Sequence, residues 1–166
     1  MSAPVHVVVM GCGRVGSAIS AELGSMVVSQ QIDAMRALGT DPVRKLVWPR
    51  MFALLVSLPL LTVLADVLGI FGGWATAVFL YSVSSSVFIS AVRDAITTDD
   101  LIGGVVKPIV FSLIIGSIAC RQGLNTEGGT VGVGRSTTRA VVLASIVVII
   151  ADYFLAKALQ VILGTT

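Results

Sequence analysis

Charge is what this chain has least of. Only 12% of its 166 residues are Asp, Glu, Lys or Arg, against roughly 25% in an ordinary soluble domain, and mean hydropathy is +0.99. Such a composition places the chain in a bilayer and leaves little for a separate soluble domain. Cysteine is scarce too: Cys12 and Cys120 lie far apart, and neither has the neighbouring Cys or His that a redox or metal motif needs. No metal is therefore expected, and both read as small buried apolar residues. The net charge is only +2 and the 11 basic residues are dispersed, with no basic patch interleaved with aromatics. That excludes nucleic acid as a partner. The glycine-rich stretch 121–139 lacks GxxxxGK[ST] spacing, and Met1–Met10 lacks the basic n-region of a cleavable signal peptide.

What the chain has instead is long apolar runs. Met51–Ala65 carries no charge, and apolar character resumes after Asp66. This predicts a span over about 51–80, either one helix with Asp66 part-way along or two pieces broken near Gly69, Gly72 and Gly73. Pro59 is expected to kink it. A second span is predicted over about 101–120, capped by Thr98 or Asp99, with Lys107 near its start and Pro108 bending it. The third covers about 140–163 and contains Asp152 and Lys157, which at five apart do not pair on one helix face. Between the first two, Ser84–Asp100 predicts a short interfacial helix with Val87, Ile89, Val92 and Ile96 on its apolar side. Arg121–Arg139, with glycines at 123, 128, 129, 132 and 134, reads as a loop. The expected fold is all-α: a polytopic membrane helix bundle with about three full spans.

The one long polar stretch is Glu22–Arg50. Met26, Val27, Gln30, Ile32, Met35 and Leu38 fall at three- and four-residue steps, with Gln31, Asp33 and Arg36 on the remaining arc. A helix is expected over about 26–39, stopped by Gly39 and followed by a turn at Thr40, Asp41 and Pro42. Arg36, Arg44, Lys45 and Arg50 here and Arg121, Arg135 and Arg139 in 121–139 outnumber the basic residues between the first two spans, where Arg93 and Lys107 stand against Asp94, Asp99 and Asp100. The positive-inside rule therefore makes both segments cytoplasmic, with Ser84–Asp100 and the C-terminus outside. A carboxylate or ammonium at membrane depth is costly and normally faces a cavity or a partner. Asp66, Lys107 and Asp152 are the candidates, Asp66 reading equally as a structural buried carboxyl. Glu22 is expected to stay hydrated at the cytoplasmic end.

The opening of the chain has two readings. Val5–Ser20, VHVVVMGCGRVGSAIS, resembles the start of a TrkA-N nucleotide-binding domain, a strand followed by Gly11, Gly13 and Gly16 and then a helix from about Arg14. The second strand and acidic residue of a dinucleotide fold do not follow. The favoured reading makes Gly11–Ser25 the end of a membrane helix, with Gly11, Gly13, Gly16, Ser17, Ala18, Ala21, Gly24 and Ser25 as close-packing small residues, of which Ala18, Ala21 and Ser25 recur every three to four positions. No cofactor is then expected.

ELGSMVVSQQIDAMRALGTDPVRKLVWPR at 22–50, ADVLGIFGG at 65–73 and CRQGLNTEGGTVGVGRSTTRAVV at 120–142 together resemble the MlaE (YrbE) family of ABC-transporter permeases. The resemblance runs from about Gly13 to Leu163 and implies a permease domain over 13–166 behind an atypical leader, 1–12. It implies a non-enzymatic membrane subunit of a phospholipid transport system that maintains outer-membrane lipid asymmetry in the bacterial inner membrane. The implied partners are a second copy of the permease, cytoplasmic ABC ATPase subunits that hydrolyse ATP, a periplasmic MCE-domain lipid-binding protein, and phospholipid. It also implies that the polar helix is the coupling helix, with Gln31, Ile32, Asp33, Met35, Arg36 and Leu38 meeting the ATPase. Members of that family ordinarily carry an interfacial helix and about two further spans before the GRVGSA-like segment. A fragment, an alternative start or a composite joined at that motif is therefore expected. The remaining alternatives are an NAD-binding regulatory protein and a permease fragment without function.

Overall fold

A computed structural model describes residues 3–96 and 98–163, with side chains described for 13–96 and 103–161. The elements are α1 (Ala3–Val28), α2 (Gln31–Ala37), a π-helical turn (Val43–Val47), α3 (Trp48–Phe79), α4 (Ser85–Ala95), α5 (Thr98–Leu124) and α6 (Gly129–Leu163). Among the described residues there is no strand. Three stretches, Val43–Phe79, Gly103–Leu124 and Gly129–Val161, are long and apolar enough to cross a membrane. The first has 37 residues, about 55 Å of helix, so it tilts within or projects from a hydrocarbon layer of roughly 30 Å.

The helices α1, α5 and α6 pack on one another, α3 packs chiefly on α5, and α4 folds back on α3. The core is a layer of Leu54 and Leu58 from α3, Phe111 and Ile115 from α5, and Ala144 and Val148 from α6, with Val15 and Ile19 of α1 against it. Two glycines seven residues apart on α5 let its neighbours approach closely. A Cβ on Gly116 would lie 2.5 Å from Met51 Sδ of α3, and one on Gly123 would lie 2.7 Å from Leu23 Cβ of α1. Gly123→Ala is therefore expected to destabilise the bundle by about 2 kcal/mol through overpacking. Gly104→Ala, on the same helix but with nothing among the described residues within 4 Å, is expected to gain up to about 1 kcal/mol. Denaturation of the two variants in detergent measures the difference.

Several expectations need correction. Val5–Met10 is helix, not strand, and continuous with the rest of α1. In lipid every backbone N–H must bond within its own segment, which overrides the strand preference of a valine run. Of the small residues expected to pack closely on α1, Gly16 and Gly24 are buried, Gly13, Ser17 and Ala21 half-buried, and Ala18 and Ser25 exposed; Ser20 and Leu23 complete the buried stripe. The polar helix expected over 26–39 is split: Met26–Val28 finish α1, Gln30 adopts a left-handed φ of 58°, and α2 begins at Gln31. Gly39 does stop it, at φ 72°, a conformation glycine adopts without steric cost.

The glycine-rich stretch is a loop only over 125–128. Gly128 and Gly129, both at positive φ, reverse the chain, and α6 then runs through Gly132, Gly134 and Arg139. Gly132 lies so close to the Glu127 carbonyl that a Cβ has no room. Ser136 and Thr137 hydroxyls donate to the Val133 carbonyl, which satisfies these polar side chains inside a helix. The first span is one unbroken helix through Asp66, Gly69, Gly72 and Gly73, and Pro59 and Pro108 both lie inside continuous helices. The interfacial helix appears as α4. Cys120 is buried as expected, while Cys12 and the expected cap at Thr98 or Asp99 lie outside the residues whose side chains are described.

Candidate functional site

The polar stretch 22–50 forms one end of the bundle. The last turn of α1 leads through Ser29 and Gln30 into α2, and the Ser29 hydroxyl donates to the Ser25 carbonyl at 2.8 Å, closing the end of α1. Ile32 is buried and anchors α2 to the body, and Met35 is half-buried. Gln31, Asp33, Arg36 and Leu38 face outward, Leu38 at 81% exposed. Asp33 and Arg36 pair with each other at 3.2 Å on this exposed face, a contact worth a few tenths of a kcal/mol at most. Beyond Gly39, the Asp41 carboxylate accepts from the Val43 amide at 3.0 Å and turns the chain into the π-helical start of the next span.

The two ends of this stretch are joined. The Arg50 guanidinium at the start of α3 pairs with the Glu22 carboxylate of α1 at 2.6 Å, Arg50 being 18% and Glu22 57% exposed. One guanidinium nitrogen of Arg50, Nη1, is buried with no hydrogen-bond partner among the described residues. So α2 is the tip of a hairpin closed at its base by an ion pair. The partnership of Arg50 with Glu22 was not read from the sequence, although the two opposite charges bracket the polar stretch. The α5–α6 turn lies beside it, since a Cβ on Gly24 of α1 would fall 2.8 Å from Thr126 Oγ1. Thr126 in turn donates to the Ser136 hydroxyl at 2.9 Å, linking the end of α5 to α6. Both basic segments therefore sit at one end of the bundle.

At membrane depth the candidates separate. Lys107 of α5 pairs with Asp152 of α6 at 3.1 Å, with only 23% and 22% of the two side chains exposed. Among the described residues neither pairs within its own helix, and Lys157 takes no part in the contact. Asp66 is exposed on α3 among the exposed apolar Val63, Val67 and Ile70. Among the described residues its carboxylate has no ion pair or hydrogen bond. The four candidates thus separate: Lys107 and Asp152 pair with each other across α5 and α6, Glu22 pairs with Arg50 across α1 and α3, and Asp66 stands on an uncovered face.

Gly11, Gly13 and Gly16 lie inside α1. A phosphate cradle needs the free amides of a helix N-terminus after a strand, and the amides here are committed within a continuous helix. The nucleotide-binding alternative is overturned on this ground.

Comparison with known proteins bears on what such a bundle is. The family model for the permease MlaE matches residues 1–158. A probable ABC transporter permease protein of Rickettsia bellii is 38% identical over 154 residues, covering 93% of this chain and 60% of the relative. One of Synechocystis sp. is 42% identical over 153 residues, 92% of this chain and 58% of the relative. The protein TRIGALACTOSYLDIACYLGLYCEROL 1, chloroplastic, of Arabidopsis thaliana is 38% identical over 154 residues, 93% of this chain and 44% of the relative. The chain thus spans about three fifths of the length of the bacterial relatives named here. A multi-pass apolar bundle with one polar helix at its basic end, matched through nearly its whole length, belongs to the MlaE permease family.

Proposed function

We propose that the chain acts as a permease subunit of an ABC-type transporter that moves phospholipid, with α2 receiving thrust from a partner ATPase. The observation that carries this reading is the hairpin: a short helix with an outward polar face, set between two long helices and braced at its base by Glu22 and Arg50. A load on Gln31, Asp33, Arg36 and Leu38 passes through α1 on one side and through the 38–47 elbow into α3 on the other. Such rigid-element motion is how a small displacement at one end reorders a packed bundle. ATP hydrolysis belongs to the partner. A lipid cargo is supported by the diacylglycerol lipid in the name of the Arabidopsis relative and by the extent of uncovered apolar surface on α3 and α6. Within this reading the permease works as a pair, together with an MCE-domain lipid carrier, in the bacterial inner membrane, and serves lipid asymmetry of the outer membrane.

The test is transport by vesicles containing the chain, its ATPase and labelled phospholipid. Reversing both charges, Asp33→Arg with Arg36→Glu, keeps the internal pair but inverts the face offered to the ATPase. Lipid movement per ATP hydrolysed is expected to fall severalfold, in line with contacts worth about 1 kcal/mol at an exposed interface. Unchanged coupling would remove α2 from the mechanism. For Asp66 the expected order is Asp66→Asn close to wild type and Asp66→Leu impaired, because a polar group on an apolar face at membrane depth serves a polar partner. Equal activity of the two would show that the position needs no polar group.

A further inference from the structure

Where the outer end of α3 meets α4, the side chains of Ile70, Phe71, Trp74, Phe88, Ile89 and Val92 enclose an open groove of about 430 Å³. Its walls are wholly apolar, which admits hydrocarbon and offers nothing to a polar ligand. Three further features say what covers it. The groove lies at the end of a membrane-length helix opposite to the basic end, at the edge of the apolar stretch. Trp74 forms one wall, and Tyr81 is exposed just beyond, the residue types that settle at the boundary between hydrocarbon and headgroups. Finally, α4 is a short helix whose exposed Val87 and Ile89 stand beside polar neighbours, as in helices lying in the plane of the membrane surface.

Charge then selects among lipids. Arg93 follows the lining residue Ile89 by four positions, about 40° around α4, and the lining residue Val92 by one, about 100°, which places it exposed on the flank of α4 beside the groove, whereas Asp94 lies about 140° from Ile89 and about 160° from Val92 and is turned away. An exposed guanidinium above an apolar slot matches a phosphate-bearing headgroup above its acyl chain. We infer that this groove holds one acyl chain of an anionic glycerophospholipid from the surrounding bilayer, with Arg93 on its headgroup. The inference needs only that the chain sits in a membrane, so it stands apart from the transport reading. It concerns a lipid held at the flank of the subunit, not one in transit.

Trp74 reports on the groove directly once the other tryptophan is removed by Trp48→Phe. The full chain is reconstituted in vesicles of phosphatidylcholine with phosphatidylglycerol at equal mole fraction, brominated on the acyl chains of one lipid or the other. Brominated phosphatidylglycerol is expected to quench Trp74 more effectively than brominated phosphatidylcholine by about fivefold in apparent local concentration. Arg93→Gln is expected to abolish the preference while leaving quenching by both lipids. Ile70→Phe, which fills the slot, is expected to lower quenching by phosphatidylglycerol to the level of phosphatidylcholine. Equal quenching by the two lipids in the unmodified groove would overturn the proposal, as would a preference that survives Ile70→Phe. Weak quenching by both would show that protein covers the groove, a second copy of the chain or another subunit, and would overturn it equally.

Discussion

Replacing Lys107 by Met is expected to destabilise the protein by about 3 kcal/mol, because it leaves the Asp152 carboxylate charged and largely enclosed without its partner. The two side chains are 3.1 Å apart and mostly buried between α5 and α6, so the loss is far larger than for a surface ion pair. Replacing both, Lys107→Met with Asp152→Leu, removes the uncompensated charge and is expected to recover most of that loss, since apolar pairs of similar volume often substitute for a buried ion pair without net cost. Unfolding in mixed micelles across the double-mutant cycle measures the coupling. If the effects of Lys107→Met and Asp152→Leu simply add in the double variant, the pair contributes nothing to the joining of α5 and α6.

The brace at the base of α2 should respond asymmetrically. Glu22→Gln leaves a mostly buried guanidinium that already has one unpartnered nitrogen, and is expected to cost about 2 kcal/mol. Arg50→Met leaves an exposed carboxylate that water can solvate and is expected to cost about 1 kcal/mol or less. The exchange Glu22→Arg with Arg50→Glu keeps the pair but moves the charge needing cover, and should fall between them. Thermal unfolding in detergent orders the three. The reverse ranking would mean that Arg50, not Glu22, is the solvated partner.

The contrast between these two pairs shows which features the residue pattern reveals. The long spans were legible because an apolar run of membrane length has few alternatives, and α4 was legible because Val87, Ile89 and Val92 recur at helical spacing. The stop at Gly39 followed from local chemistry in the same way. Lys107 and Asp152 lie 45 residues apart, and nothing short of the packing of α5 against α6 brings them together. The start of α6 was misread for a related reason. Glycine, serine and threonine in 128–138 carry the composition of a loop, but in this setting they allow α6 to start tightly after the Gly128–Gly129 reversal and bond their hydroxyls back to its own carbonyls. Likewise Gly16 and Gly24 were legible as close-packing residues, but Ala18, Ala21 and Ser25, which have the right spacing for a contact stripe, lie off the buried face, which runs through Ser20 and Leu23 against Gly123. Spacing identifies a face without saying which of two adjacent faces a neighbour occupies.

The left-handed residues Gln30 and Gly39 bound α2 on either side, and this bears on what kinds of sequence change the hairpin tolerates. Each added or deleted residue between those two points swings the side chains that follow it by about 100°, so that deleting Gln31 carries the Asp33 carboxylate into the position that Ile32 now fills. Point replacements on the outer face alter its chemistry alone. Homologous hairpins that dock on the same kind of partner should therefore vary in composition at these positions while keeping the number of residues between the two backbone reversals constant.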